Sequence, residues 1–104
     1  MQKRLVTRYG TKSPEDANEN ESRIAGVFAE LDKTKPDNVS YLVLRLADGS
    51  FVHVSFHDHS DTEVNPISST AAFAHFQDGH AERRDGGVDQ QTATLVGAYI
   101  TKIC

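Results

Sequence analysis

Residues 40–58, SYLVLRLADGSFVHVSFHD, decide the fold. Two runs of large apolar and β-branched residues, 40–46 and 51–57, flank Ala47-Asp48-Gly49-Ser50. An Asp-Gly pair between alternating runs signals a β-hairpin, because the favoured two-residue turn needs positive φ at both central positions. With Asp48-Gly49 as that loop, Leu46 falls opposite Phe51, Leu44 opposite His53 and Leu42 opposite Ser55. Tyr41, Val43, Arg45, Val52, Val54 and Phe56 then share the other face. Both faces carry large apolar side chains, and the rest of the chain has helices enough for one. Monomers rarely leave a contiguous apolar patch of that extent in water, so a second subunit is the economical cover.

Upstream of the hairpin, residues 3–9 alternate Leu5, Thr7 and Tyr9 with Arg4, Val6 and Arg8, a strand pattern closed by Gly10. Ser13 is a natural helix N-cap and Pro14 suits the first helical position, where a missing N–H costs nothing. Acidic residues gather at the start of this helix and Lys33 and Lys35 at its end, as the macrodipole favours. Ile24, Val27, Phe28 and Leu31 make its apolar stripe, and Pro36-Asp37 ends it. Its first turns, ANENES at 17–22, have no large apolar residue and are expected to overhang solvent or to edge a pocket.

Downstream, the polar loop 58–66 leads to a second helix from Ser68 or Ser69 to about Glu82. Its stripe is Phe73, Phe76 and His80, and Gly79 within it suggests a close backbone approach. Residues 83–87 read as a stop, and Thr92 to Ile100 alternates as the last strand. The order β-α-β-β-α-β is the ferredoxin-like α+β arrangement, a four-stranded antiparallel sheet with both helices on one side, and it takes the 1–104 chain as a single domain.

Composition narrows the function. The 104 residues carry 38% hydrophobic and 25% charged side chains, enough to build one core. A formal charge of −4, with Lys3-Arg4 and Arg83-Arg84 as the close basic pairs, argues against a nucleic-acid partner. No apolar run is long enough for a membrane span. The single cysteine, Cys104, cannot form an internal disulfide, and the opening MQKRLVTRYG lacks an apolar targeting core; a reducing, cytoplasmic location is expected. No phosphate-binding glycine loop, nucleophile elbow or HExxH occurs.

Histidine is the informative residue type. His53, His57 and His59 lie in HVSFHDH. On a strand, His53 and His57 share a face but stand roughly 13 Å apart, at about 3.3 Å per residue, too far for one metal ion. His57 and His59 could approach one ion, with Asp58 or Asp61 adding oxygen, but no ordinary ligand motif has this spacing, and no metal site is assigned. His80, four residues after Phe76, is expected to point with Phe73 and Phe76 towards the sheet, where it is the candidate catalytic group as base or orienting residue. His75 lies off that stripe and reads as solvated. Tyr9, Tyr41 and Tyr99 place phenols on three strands, and Arg45, on an apolar face, calls for an ion pair, most simply across a subunit interface.

The strand KRLVTRYGT (3–11), the hairpin of 40–58, NPISSTAAFAHFQDG (65–79) and the final TATLVGAYI (92–100) together resemble the dimeric α/β-barrel superfamily, specifically the small antibiotic-biosynthesis-monooxygenase-like domains. The resemblance implies homodimers joined sheet to sheet, helices outside, and a pocket between helices and sheet in each protomer. Some members are cofactor-free monooxygenases of polycyclic aromatics and others cleave haem. Several active members use an asparagine and a tryptophan; this chain has no tryptophan, and its first strand has no asparagine. Haem chemistry would rest on His75 and His80 alone. The expectation is therefore a homodimer binding a small apolar or aromatic molecule, as a cofactor-free monooxygenase or as a non-catalytic binding or sensory module. His80 would be the catalytic group, Phe73, Phe76, His53 and Tyr41 would shape the substrate site, and no cofactor is expected.

Overall fold

The computed structural model describes residues 2–101. The element order is β1 (Lys3–Thr11), α1 (Pro14–Thr34), β2 (Val39–Arg45), β3 (Phe51–His57), α2 (Ala71–Gln77), α3 (His80–Arg83) and β4 (Arg84–Thr92). The strands form one antiparallel sheet in the order β2-β3-β1-β4, which is the ferredoxin-like topology.

Helix α1 starts where the sequence punctuates it. The Ser13 side chain accepts from the Asp16 N–H at 3.1 Å, Pro14 follows, and Lys35 ends the helix in the left-handed region (φ 47°) with its N–H on the Leu31 carbonyl. Two α1 side chains then hold both ends of α2. The Glu30 carboxylate accepts from the N–H groups of Ala71 and Ala72 (3.3 and 3.0 Å), while Arg23 donates to the carbonyls of His75 and Asp78 (2.6 and 2.8 Å). Each charge sits at the helix end whose free backbone groups it complements. The core enclosed between helices and sheet comprises Tyr9, Ala17, Ile24, Val27, Phe51, Ile67 and Phe76.

The hairpin register differs from the expected one by one residue. Arg45 pairs with Phe51, Leu44 with Val52, Val43 with His53 and Tyr41 with Ser55. The loop holds three residues, Ala47 to Gly49, closed by the Leu46 N–H on the Ser50 carbonyl (2.8 Å) and the Gly49 N–H on the Leu46 carbonyl (3.0 Å). Gly49 alone takes positive φ (85°), so Asp-Gly occupies the last two places of a bulged three-residue turn. A one-residue slip turns every β2 side chain over. Tyr41, Val43 and Arg45 therefore join Phe51, His53 and Ser55 beneath the helices, while Leu42 and Leu44 join Val6, Val52, Val54 and Phe56 on the uncovered face. The slip also settles Arg45, which donates within the chain to Glu21 (2.9 Å) and Asn18 (3.0 Å) of α1. It needs no subunit interface.

Two further elements differ. The helix expected to run from Ser68 or Ser69 to Glu82 begins later, with Thr70 as N-cap, and breaks at Asp78-Gly79, where Gly79 has φ 71°. Backbone conformation rather than close packing explains this glycine. The last strand is Arg84–Thr92, not Thr92–Ile100. Coming straight off α3, the chain pairs at once with β1, from Thr11 opposite Arg84 to Leu5 opposite Thr92, and the place beside β1 is filled before residue 93. RDGGVDQQT looks like a connector, but an exposed edge strand tolerates polar residues and glycine. Residues 93–101 run outside helix and strand, with Val96 and Tyr99 almost fully exposed. Cys104 lies outside the described residues.

Candidate active site

The cavity that draws the sequence candidates together has a volume of about 250 Å3 and lies between the helices and the inner face of the sheet. Tyr41, His53, Phe73, His80, Arg84 and Gln90 are among its lining. Phe76 does not line it. That ring is buried directly behind the wall, with centroids 5.8 Å from His53, 4.7 Å from His80 and 5.7 Å from Phe73. His80 reaches this place despite the broken helix, because the Gly79 kink and a fresh turn keep it above Phe76.

A buried chain of hydrogen bonds runs beneath the cavity. The Tyr41 hydroxyl is 2.7 Å from Nδ1 of His53, whose Nε2 is 2.7 Å from the Tyr9 hydroxyl. Asn20 Nδ2 donates to the Tyr9 oxygen at 2.9 Å, and Arg83 Nε donates to Asn20 Oδ1 at 3.3 Å. Arg83 also donates to the carbonyls of Phe76 (2.6 Å) and Asp78 (3.0 Å), stapling the α2–α3 break to α1. Asn20 is completely buried, so the stretch expected to overhang solvent or to edge a pocket takes the second course here and supplies the centre of the network beneath the cavity. Asn20 and Arg83 are the site residues that sequence reasoning missed, and it reads Tyr9 as one of three strand phenols without assigning it to the site. A signal existed: Ala17, Asn20, Ile24 and Val27 are spaced i, i+3, i+7, i+10, and all four are buried on one face of α1.

His80 differs from its neighbours. Its Nδ1 stands 3.4 Å from a guanidinium nitrogen of Arg84, while its buried Nε2 has no hydrogen-bond partner among the described residues. A guanidinium can only donate, so Nδ1 is the acceptor and the neutral ring carries its hydrogen on Nε2. Burial, assisted by the charges of Arg84 and Arg83, pulls the His80 pKa down to about 4. Burial, assisted by the charge of His80, brings His53 down to about 4 as well. Burial pushes Tyr9 up to about 12 against the opposing pull of Asn20, Arg83 and Arg84, and raises Tyr41 further. At neutral pH both rings and both phenols are uncharged.

These two histidines make the fold acid-sensitive. In the unfolded chain they titrate near 6.5, and in the folded one near 4. Between those values the unfolded state binds more protons, so their contribution is full above about 6.5 and drains away as pH falls towards 4. Urea unfolding at about pH 7 and about pH 5 should show a loss of about 2 kcal/mol for each histidine on acidification, about 4 kcal/mol for the pair, with an unchanged m-value.

At the strand end, His57 and His59 bond to each other (Nδ1 to Nε2, 3.1 Å), and His57 Nε2 meets the Ser55 hydroxyl at 2.9 Å. Among the described residues no group of three or more His, Cys, Asp or Glu side chains could hold a metal ion, and no helix is long and apolar enough to cross a membrane. His75 is exposed, and Tyr99 lies, almost fully exposed, in the irregular segment rather than on a strand.

No family model matches the chain, and no curated protein matches it in sequence. Solved structures match its fold. A Nitrosomonas europaea protein provisionally named an antibiotic biosynthesis monooxygenase superposes with a TM-score of 0.71 at 11% identity, over 91% of this chain and 90% of that one. Rv0793 from Mycobacterium tuberculosis gives 0.71 at 11% identity, over 94% and 98%. A variant of SnoaB, a cofactor-independent oxygenase from Streptomyces nogalater, gives 0.63 at 17% identity, over 93% and 95%. The chain thus has the fold of the antibiotic-biosynthesis-monooxygenase-like proteins across nearly its whole length.

Proposed function

We propose that the protein is a homodimer in which each protomer binds a small aromatic molecule between helices and sheet and oxygenates it without a cofactor. The observation that carries this reading is the buried Nε2–H of His80, unpartnered among the described residues, on a side chain that lines a cavity together with the rings of Tyr9, Tyr41, His53 and Phe73. A buried donor without a partner costs about 1–3 kcal/mol, a cost that a ligand oxygen would offset. The fold shared with a cofactor-independent oxygenase adds support. At about 250 Å3 the cavity is slightly smaller than the usual range of about 300–1,000 Å3, which favours a flat, compact ligand.

In this reading His80 acts as the orienting group, because its Nδ1 is engaged by Arg84 and its low pKa makes it a weak base. Its Nε2–H and the Arg84 charge stabilise the enolate oxygen of an enolisable ketone, which makes the substrate's C–H acidic enough to lose its proton to water. The carbanion then reacts with dioxygen. One oxygen atom stays as a new carbonyl on the former CH2 carbon, and the other leaves in water together with the two hydrogens.

One observation favours the rival reading, a non-catalytic dimeric binding or sensory module: among the described residues no carboxylate lines the cavity to take a proton. Oxygen uptake with anthrone as probe separates the two. Catalysis predicts saturable uptake, reduced about a hundredfold in His80→Ala with the fold retained, the size expected for loss of one oxyanion donor. Saturable binding of anthrone without uptake would establish the rival. Failure to bind it would overturn the aromatic-ligand reading.

A further inference from the structure

We propose that Asn20, Tyr9 and His53 form a one-way chain of hydrogen bonds that turns the phenol hydrogen of Tyr41 into the cavity, so that the ligand is held at an acceptor oxygen. The ligand half of this statement rests on the cavity being a binding site; the direction of the chain does not.

The direction follows from counting hydrogens. Arg83 can only donate, so the Asn20 oxygen must face it and the Asn20 amide N–H must face Tyr9. The Tyr9 oxygen therefore accepts, and its own hydrogen needs an acceptor. Tyr9 is 4% exposed, and among the described residues its hydroxyl has two partners, Asn20 and His53. Tyr9 and Tyr41 both line the cavity and either direction leaves one phenol hydrogen free, but Tyr9 is buried and Tyr41 only partly so. If His53 donated from Nε2, the hydrogen without an acceptor would be the more buried one, which folded proteins avoid. Tyr9 must then donate to Nε2, which puts the one hydrogen of the neutral imidazole on Nδ1. That hydrogen points at the Tyr41 oxygen, 2.7 Å away. Tyr41 is left as an acceptor towards His53 with its own hydrogen free, and Tyr41 lines the cavity. Each donor in the series polarises the next, and Arg83 supplies the charge at the head of the line. Asn20, Tyr9 and His53 are positioning residues, while Tyr41 touches the ligand.

Long-range 1H–15N correlation of the histidine rings in the ligand-free protein reads the direction outright. The expected result is His53 protonated on Nδ1 and bare on Nε2; protonation on Nε2 overturns the proposal without any variant being made. Asn20→Asp then tests the cause. A carboxylate there keeps an acceptor for Arg83 but can no longer donate to Tyr9, so the Tyr9 hydrogen turns towards it and His53 switches to the Nε2–H form. An unswitched tautomer in the folded variant overturns the role of Asn20.

The ligand half is tested with two probes, nitrobenzene and, at mildly alkaline pH, 4-nitrophenolate. Tyr41→Phe should weaken the phenolate about tenfold or more and leave nitrobenzene unchanged, since a hydrogen bond to a charged acceptor is at stake. Equal effects on both probes overturn the donor role of Tyr41. If neither probe binds the wild type, the cavity reading fails while the tautomer result stands.

Discussion

Asn20→Leu lowers stability by about 3 kcal/mol, and Tm by about 15 °C, although leucine is the better helix former and the larger apolar residue. The reason is the position. Asn20 is fully buried between Tyr9 and Arg83, accepting from a guanidinium and donating to a phenol. An aliphatic side chain leaves the Arg83 Nε without an acceptor and the Tyr9 oxygen without its donor, and a buried group stripped of its partner bears its desolvation cost in full. Arg83 keeps its bonds to the Phe76 and Asp78 carbonyls, which limits the loss. Differential scanning calorimetry of the variant beside Asn18→Leu, whose side chain bonds to Arg45 at the surface, gives the comparison. A small, equal change in both would show that the buried polar network contributes nothing to stability.

The placement of Asn20 also marks where sequence reading stopped. Periodicity located α1, β1, β2, β3 and the Phe73–Phe76–His80 cluster, because apolar spacing reports directly on which face meets the core. It misjudged Asn20 because a polar residue on an apolar stripe carries no hydrophobic signal of its own; only its partners, distant in sequence, explain it. The hairpin register failed for a local reason. Asp-Gly fits both a two-residue turn and the end of a three-residue bulged turn, and the two differ by one residue, which is a whole face of the strand. The last strand failed for a tertiary reason. TATLVGAYI has the better strand composition, but RDGGVDQQT follows α3 immediately and reaches the free edge of β1 first. His80 was found by helical spacing even though the helix breaks before it, whereas its free Nε2 and its Arg84 neighbour arise only from the three-dimensional packing of α3.

The second large effect concerns the face of the sheet opposite the cavity. Val54 stands at its middle, paired with Val6 on one side and Leu42 on the other, and Val52, Phe56 and the half-exposed Leu44 surround this row. The helices cover the opposite face of the sheet, the one that carries Phe51 and His53. The proposed homodimer covers this surface with its own copy, apolar against apolar. Val54→Asp would place one unpaired carboxylate from each protomer in the middle of that contact, raising the dissociation constant at least a thousandfold, about 4 kcal/mol. The inner face, with Phe51 and His53, is untouched by the change, so circular dichroism of the variant should match the wild type.

Sedimentation velocity over a dilution series, run on the wild type beside Val54→Asp, measures this directly. The wild type should sediment as a single species of twice the 11.5 kDa protomer mass down to micromolar concentration, and the variant as a folded protomer. A wild type that sediments as a stable, folded protomer throughout the series would contradict the claim that this sheet needs a second copy of itself.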